Sequence, residues 1–139
     1  MVTTKNIVFQ TKGNCDIIDI TQQVAKEIGE SHMRDGVVVL FAVGSTAGIS
    51  TIENEGGLLQ DFKDVWERIT PRNISYLHDQ AWADGNGHSH VRASIVGPSL
   101  TIPFVKGSML LGTWQQIIFV DFDNRPRRRE VVVQIIGES

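Results

Sequence analysis

The sequence has a single cysteine and no long apolar run, which restricts where the protein can function. Because Cys15 is the only cysteine, an internal disulfide bond is excluded, as is typical of proteins in a reducing compartment. The N-terminal residues lack the basic and apolar regions of a signal peptide. The longest apolar run, Val37–Val43, is too short to cross a bilayer. These absences predict a soluble, cytoplasmic protein with no membrane partner.

The chain also lacks an excess of positive charge. Its 13 basic and 16 acidic residues give a formal net charge of −3, which argues against nucleic acid as a partner. The 139 residues contain no repeat, low-complexity tract or linker. With 41% hydrophobic and 21% charged residues, the composition is that of a globular domain. Residues 1–139 are therefore expected to form one domain.

The hydrophobic pattern predicts more strands than helices. One helix is expected to begin near Asp19 and end before Gly36, and a second to contain Leu58–Ile69 and end before Pro71. Strands or short apolar segments are predicted at residues 6–11, 16–20, 37–43, 94–96, 100–104, 108–111, 116–122 and 130–136. The β-branched run at 37–43 is expected to be buried on both faces. The expected fold class is α+β, a sandwich built on an antiparallel or mixed sheet with two main helices.

Three of the four histidines, His78, His88 and His90, lie in one short window. If the chain is extended at His88 and His90, their side chains share a face. Imidazoles gathered in this way can bind a divalent metal ion or provide acid–base groups near neutral pH. Asp79 or Asp84 could accept a hydrogen bond from an imidazole and fix its orientation. The alternative is that His78 and His88 are solvated loop residues and His90 is a partly buried polar residue.

Two further segments are candidates for binding an anion. The small-residue turn Gly44–Gly48 follows an apolar strand and offers backbone N–H groups and the hydroxyls of Ser45 and Thr46, which can hold a phosphate or an oxyanion. It lacks the lysine of a P-loop, and the alternative is a simple tight turn. The segment Arg125–Arg129 carries four arginines, whose guanidinium groups can bind phosphate through two hydrogen bonds. Its alternative is a solvated charged surface.

The C-terminal half of the chain closely resembles a known family. The resemblance is carried by His88–Ser94, Gly97–Pro103, Gly107 and Leu111–Gln115, and these segments resemble the YjbQ family, described as secondary thiamine-phosphate synthases. It extends from about Val37 to Ile136. The resemblance implies an α+β subunit that assembles as a homotrimer with sites near the subunit boundaries. It also implies a weak activity that joins an aminopyrimidine pyrophosphate to a thiazole phosphate.

The resemblance assigns roles to individual residues. His78 and Asp79 match the family's Tyr-x-His-Asp element, here Tyr76–Asp79, and His90 matches its second histidine. Its Trp-Gln pair and its basic segment before the last strand are matched by Trp114, Gln115 and Arg127–Arg129.

Two positions depart from the family pattern. Gly44 stands where members have a histidine before Thr-Thr/Ser-Ala, and Gly56 stands in the acidic position of an Asn-Glu-Asn…Asp pattern, here altered to Ile52–Asn54. These losses remove two ligands or acid–base groups, whereas Glu53 remains. They predict weak or undetectable thiamine-phosphate formation.

The favoured hypothesis is a homotrimeric enzyme that handles a small phosphorylated substrate in a site assisted by zinc or magnesium. Its expected catalytic residues are His78, Asp79, His90 and Glu53, and its expected metal ligands are His78, His88 and His90. Its expected substrate-binding residues are Ser45, Thr46, Trp114, Gln115, Arg127, Arg128 and Arg129, with Trp114 stacked on a flat heterocycle. The alternatives are a trimer that binds a metal or phosphorylated metabolite without turnover, and a scaffold whose polar cluster seals a subunit interface.

Overall fold

Two antiparallel sheets and four helices make up the fold, as seen in a computed structural model that describes residues 1–139. In chain order the elements are β1 (Val2–Thr11), β2 (Asp16–Asp19), α1 (Thr21–Ser31), β3 (Asp35–Ala42), β4 (Ala47–Ile52), α2 (Gly56–Ile69), α3 (Leu77–Trp82), α4 (Gly87–Val96), β5 (Ser99–Val105), β6 (Ser108–Met109), β7 (Gln116–Asp121) and β8 (Arg127–Glu138). The predicted α+β class is confirmed. The prediction of two main helices is wrong, because the chain forms α3 and α4 as well. None of the helices is long and apolar enough to span a membrane.

The main core lies between the two sheets. The larger sheet has the strand order β1-β8-β3-β5-β6, the smaller one has the order β2-β7-β4, and every neighbouring pair is antiparallel. Successive side chains of a strand point to opposite faces, so alternate residues enter the core. With α1, the strands bury a cluster that includes Val38, Leu40, Ala42, Ile117, Phe119, Val131, Val133 and Ile135.

The outer face of the larger sheet is not covered by any helix of the chain. On β3, the side chains between the core positions belong to Val37 and Val39, which are half-buried, and to Phe41, which is 44% exposed. The expectation that Val37–Val43 is buried on both faces is therefore wrong for a single chain. This run alternates in burial like a strand with one solvent-facing side, although both sides are apolar.

Helices α2 and α4 pack on the free face of the smaller sheet. Trp66 and Ala93 contribute to a second apolar cluster with Phe122, and the Trp66 and Phe122 rings meet edge to face at 5.2 Å. The buried Arg92 of α4 donates hydrogen bonds of 3.0 and 2.8 Å from Nε and Nη2 to the Thr70 carbonyl at the end of α2. These contacts fix α4 against α2 and the sheet.

Helix α4 forms where the sequence predicts an extended segment and a strand. It begins at Gly87 and ends at Val96, so the expectation of an extended chain at His88 and His90 is wrong, as is that of a strand at 94–96. The buried residues of this helix include His88, Ser89, Arg92 and Ala93. Because its buried face is largely polar, the hydrophobic pattern gives little indication of a helix.

Candidate functional site

Three loops meet at one end of the sandwich. The pairing of Ala42 with Val131 and of Ala47 with Asp121 brings the β3–β4 turn next to the β7–β8 connection, and the α3–α4 loop closes the third side. Between them lies a cavity of about 320 Å³, the histidine hollow, lined by Gly44, Ser45, Thr46, Asp84, Asn86, His90, Asp123 and Arg127–Arg129.

The structure brings His78 and His90 together with Asp84. The two imidazole rings lie 4.4 Å apart between centroids and are tilted by 46°, and Nδ1 of His78 lies 3.4 Å from Oδ1 of Asp84. One ligand atom from each of the three residues lies within 4.8 Å of the others. Nδ1 of His78 is buried and has no hydrogen-bond partner. The cluster thus offers two nitrogen donors and one carboxylate oxygen.

The structure does not place His88 in this group. Residues two apart in a helix point roughly 200° away from each other, so His88 turns inward while His90 faces the histidine hollow. His88 is 3% exposed, and its Nε2 lies 3.2 Å from Oγ of Ser89. Burial, followed by the charges of Arg92 and Arg72, lowers the pKa of His88 below its ordinary value. His88 is therefore a neutral side chain that packs inside the protein, and it does not belong to the histidine cluster.

Asp79 positions the helices that carry the two clustered histidines. Its Oδ1 accepts a 2.9 Å hydrogen bond from the backbone N–H of Gly87, the first residue of α4, and lies 4.0 Å from Nδ1 of His78. At Gly87 an added Cβ would lie 2.5 Å from Cβ of Tyr76, so only glycine permits this close approach. The family's Tyr-x-His-Asp element therefore ties α3 to the start of α4.

The turn at Gly44–Thr46 provides donors on a second wall of the hollow. Its three backbone N–H groups make no hydrogen bond within the chain, and Ser45 is exposed. Oγ1 of Thr46 donates to Oδ2 of Asp123 at 2.9 Å and accepts from Nη2 of Arg129 at 2.6 Å. The Thr46 hydroxyl is thus engaged inside the protein, which leaves Ser45 and the backbone to meet a ligand.

The three predicted phosphate-binding arginines occupy different environments. Arg129 is buried and forms a two-point ion pair with Asp121, with distances of 2.6 Å from Nε and 2.7 Å from Nη2. Arg127 is half-buried, with its Nε 3.2 Å from Oδ2 of Asp123, whereas Arg128 is exposed. Arg128 is therefore the least committed of the three to contacts within the protein.

Asp121 and Asp123 anchor this wall, and their role is missed by sequence reasoning. Burial alone would raise the pKa of Asp123, but hydrogen bonds from Thr46 and Asn86 and the nearby charge of Arg127 outweigh it and lower that pKa. Asp123 therefore stays ionised next to the arginines. The available signal is the spacing of two carboxylates directly before a basic segment.

The structure places Glu53, Trp114 and Gln115 away from the histidines. Pairing of Ile52 with Gln116 puts them beyond the opposite end of the β4–β7 ladder, about 17 Å along the strands. Glu53 and Trp114 line a separate cavity of about 430 Å³, and Trp114 is 71% exposed. Gln115 donates a 3.0 Å hydrogen bond to Oγ1 of Thr51. Within one chain these residues cannot share a ligand with His90.

Fold and site together define a single-domain α+β protein with a polar, histidine-bearing hollow at one end of a two-sheet sandwich. The chain belongs to the YjbQ/UPF0047 family, because residues 5–138 match the family described as "UPF0047 protein YjbQ-like". The predicted resemblance is thereby confirmed.

Relatives and solved structures are similar to this protein over nearly the whole length of the chain. A UPF0047 protein of Methanothermobacter thermautotrophicus is 38% identical over 99% of this chain and 94% of its own length. YugU, a UPF0047 protein of Bacillus subtilis, is 30% identical over 96% of this chain and 98% of its own. The crystal structure of a YbjQ-like protein of unknown function from Sulfolobus solfataricus matches with a TM-score of 0.93 at 31% identity, covering 99% of both chains.

Proposed function

We propose that this protein is an enzyme that uses a divalent metal ion to act on a small phosphorylated substrate. The observation that carries the proposal is the gathering of His78, Asp84 and His90, whose ligand atoms lie within 4.8 Å of one another. His90 and Asp84 line the same hollow as the Gly44–Thr46 turn and the arginines. Two of the three proposed metal ligands, Asp84 and His90, therefore share one cavity with the proposed anion-binding groups.

The donor set suits zinc better than magnesium. Two imidazole nitrogens and one carboxylate oxygen are common zinc ligands, whereas magnesium prefers oxygen alone. A metal ion would also provide the partner that the buried Nδ1 of His78 lacks. His78, Asp84 and His90 would hold the ion, and sites with three protein ligands are typical of zinc that takes part in catalysis. When bound, the ion would supply positive charge that stabilises negative charge developing on the substrate.

The phosphate group would bind opposite the histidines. Arg127 and Arg128 supply positive charge, and the backbone N–H groups of Gly44–Thr46 supply oriented donors without an internal acceptor. Charge-assisted hydrogen bonds of this kind are among the strongest that a protein makes to an anion. The cavity volume of about 320 Å³ is that of a small-molecule site.

The narrower activity that we propose is a weak thiamine-phosphate synthesis. In this reaction the thiazole nitrogen attacks the methylene carbon of the aminopyrimidine pyrophosphate, and the bond from that carbon to the pyrophosphate oxygen breaks. Pyrophosphate leaves with the bonding electron pair, and the arginines would stabilise its charge. Weak turnover is expected because Gly44 offers no acid–base group and Glu53 lies at the other end of β4.

We also propose that the chain assembles as a homotrimer. The uncovered outer face of the larger sheet exposes apolar side chains, including Phe41 and Ile136 at 44% and 41%, and a subunit interface would remove them from water. Assembly would also give Trp114 and Gln115 a way to act in a histidine hollow, since they would have to come from a neighbouring subunit.

A trimer that binds metal and phosphate without turnover is the second candidate. It is favoured by the shortage of proton-transfer groups in the histidine hollow: its one imidazole, His90, is also a proposed metal ligand. Formation of thiamine phosphate above the uncatalysed rate, by protein freed of contaminating enzyme, would exclude this candidate.

The metal site is tested by zinc titration of three proteins. We expect the unmodified chain to bind about one zinc ion per subunit and His90→Ala to bind at least tenfold more weakly, because one of three ligands is removed. The matched control is His32→Asn, since His32 is exposed, has a positive φ of 59° that asparagine tolerates, and lies outside the cluster. Equal zinc affinity in all three proteins would refute the metal site.

A further inference from the structure

The most unusual polar group in the histidine hollow is a buried arginine that still has an unused donor. Arg129 is only 7% exposed, and its hydrogen bonds to Asp121 and Thr46 are made by Nε and Nη2. The third nitrogen, Nη1, donates no hydrogen bond within the chain, although it is not among the fully buried unpaired atoms. Its N–H groups are therefore available to a ligand.

Gly44 is the residue that lies over this nitrogen. A Cβ added to Gly44 would lie 2.9 Å from Nη1 of Arg129, so any side chain here would occupy the space in front of the guanidinium. Both residues line the histidine hollow. The backbone φ of Gly44 is +141°, which other residues rarely adopt. We call this space, open only because residue 44 has no side chain, the Gly44 gap.

We propose that Nη1 of Arg129 reaches through the Gly44 gap and donates a hydrogen bond to a phosphate oxygen of the substrate. The inference rests on the proposed function, because it assigns a further contact to the same phosphate. The two-point ion pair with Asp121 holds the guanidinium in place before a ligand arrives, so the donor needs no reorganisation on binding. Arg129 then combines a structural contact on one edge with a binding contact on the other.

The free backbone N–H groups of residues 44–46 border the same gap. A tetrahedral oxyanion bound there can accept from the backbone with one oxygen and from Nη1 with another. Nucleoside bases and other uncharged rings present no comparable set of negative oxygens. The gap therefore makes the site selective for phosphorylated ligands over their dephosphorylated forms.

The test is titration of the zinc-loaded protein with inorganic phosphate. We expect Gly44→Ala to bind phosphate at least tenfold more weakly, as is typical when a charge-assisted hydrogen bond is lost. The matched control is Gly107→Ala, because Gly107 also has a positive φ, +79°, but a Cβ there would meet nothing within 4 Å and it lies outside the hollow. Zinc affinity should be unchanged in both variants.

The outcomes separate this inference from the function on which it rests. Phosphate binding by the unmodified protein with equal affinity in Gly44→Ala would overturn the Gly44 gap while leaving the phosphate site intact. No phosphate binding by the unmodified protein would overturn both. If Gly44→Ala does not fold, a crystal structure of the unmodified protein with phosphate decides. An oxygen within about 3.2 Å of Nη1 supports the contact, and phosphate bound elsewhere in the hollow refutes it.

Discussion

At the scale of single residues, position 44 bears directly on the proposed thiamine-phosphate synthesis. The sequence resemblance puts Gly44 where family members have a histidine, and the positive φ of Gly44 and its nearness to Arg129 show that the backbone is adapted to glycine. The difference from the family is therefore more than the loss of one imidazole. Both the backbone conformation at residue 44 and the nearby guanidinium of Arg129 are suited to a residue without a side chain.

Restoring the histidine should accordingly fail to restore activity. We expect Gly44→His to lower the free energy of unfolding by about 1–3 kcal/mol, the usual cost of forcing a side chain into a sparsely populated backbone region. Urea denaturation measures this loss, and a thiamine-phosphate assay on the folded variant should show no gain in rate. A faster reaction at unchanged stability would show that the turn accepts a side chain and that histidine chemistry was the missing element.

Asp123 should give the protein a defined sensitivity to acid. Its folded pKa lies below the ordinary value of 3.8, so the unfolded chain takes up the proton first. The stabilisation is present above that value and is lost as the pH falls through the folded pKa. Asp123→Asn should therefore be less stable than the unmodified protein at pH 7, and the difference between their free energies of unfolding should become smaller below about pH 4. If urea denaturation gives the same difference at every pH, this account is contradicted. The exposed Asp61→Asn is the control.

At the scale of elements, the sequence predicts those helices and strands whose apolar residues recur with the period of the element, and few others. Helices α1 and α2 and every strand except β4 follow from alternation and helical periodicity, and they form close to the expected residues. Strand β4 is not predicted, and the strand predicted at 94–96 belongs to α4. Helix α4 does not follow, because it buries His88, Ser89 and Arg92 and exposes Val91 and Ile95. Its polar inner face is stabilised by specific hydrogen bonds such as those from Arg92 to Thr70, which periodicity cannot reveal.

The same distinction applies to the site. Clustering in the sequence correctly brings His78 and His90 together, because α3 and α4 are neighbours along the chain. The ligand atom from Asp84 depends on how the α3–α4 loop folds. The burial of Arg129 depends on a partner in another sheet. Both are tertiary facts that residue spacing does not encode.

The ion pair between Asp121 and Arg129 joins the two sheets at the site. Asp121 ends β7 in the smaller sheet, and Arg129 lies near the start of β8 in the larger one. We expect Asp121→Ala to destabilise the protein by about 3–5 kcal/mol, because it removes both close carboxylate contacts of the buried guanidinium and leaves only Asp123, 3.8 Å from Nη2. Urea denaturation against the Asp61→Ala control measures the effect. A loss below about 1 kcal/mol would mean that water or a rearranged side chain replaces Asp121.

At the scale of the whole molecule, the apolar outer face of the larger sheet leads to a prediction about assembly. Light scattering at micromolar concentration should give about three times the chain mass of 15.4 kDa. Phe41→Glu should shift the population towards monomer, because a charge would be buried in the interface. Glu30→Gln, a change at an exposed residue of α1, is the control. A monomeric unmodified protein would refute the trimer and any site shared between subunits.

Strand β8 also has a consequence for how the chain finds its fold. Arg129, Val131, Val133 and Ile135 alternate as its buried residues. A slip of β8 by one residue against its neighbours would turn the apolar side chains outward. It would also move the guanidinium of Arg129 away from Asp121. In its place, a charged neighbour on β8, either Glu130 or Arg128, would point towards the core. The ion pair between Asp121 and Arg129 thus helps to specify the register of β8. A misregistered sheet would bury a charge without a partner, so it would be less stable and would not persist during folding.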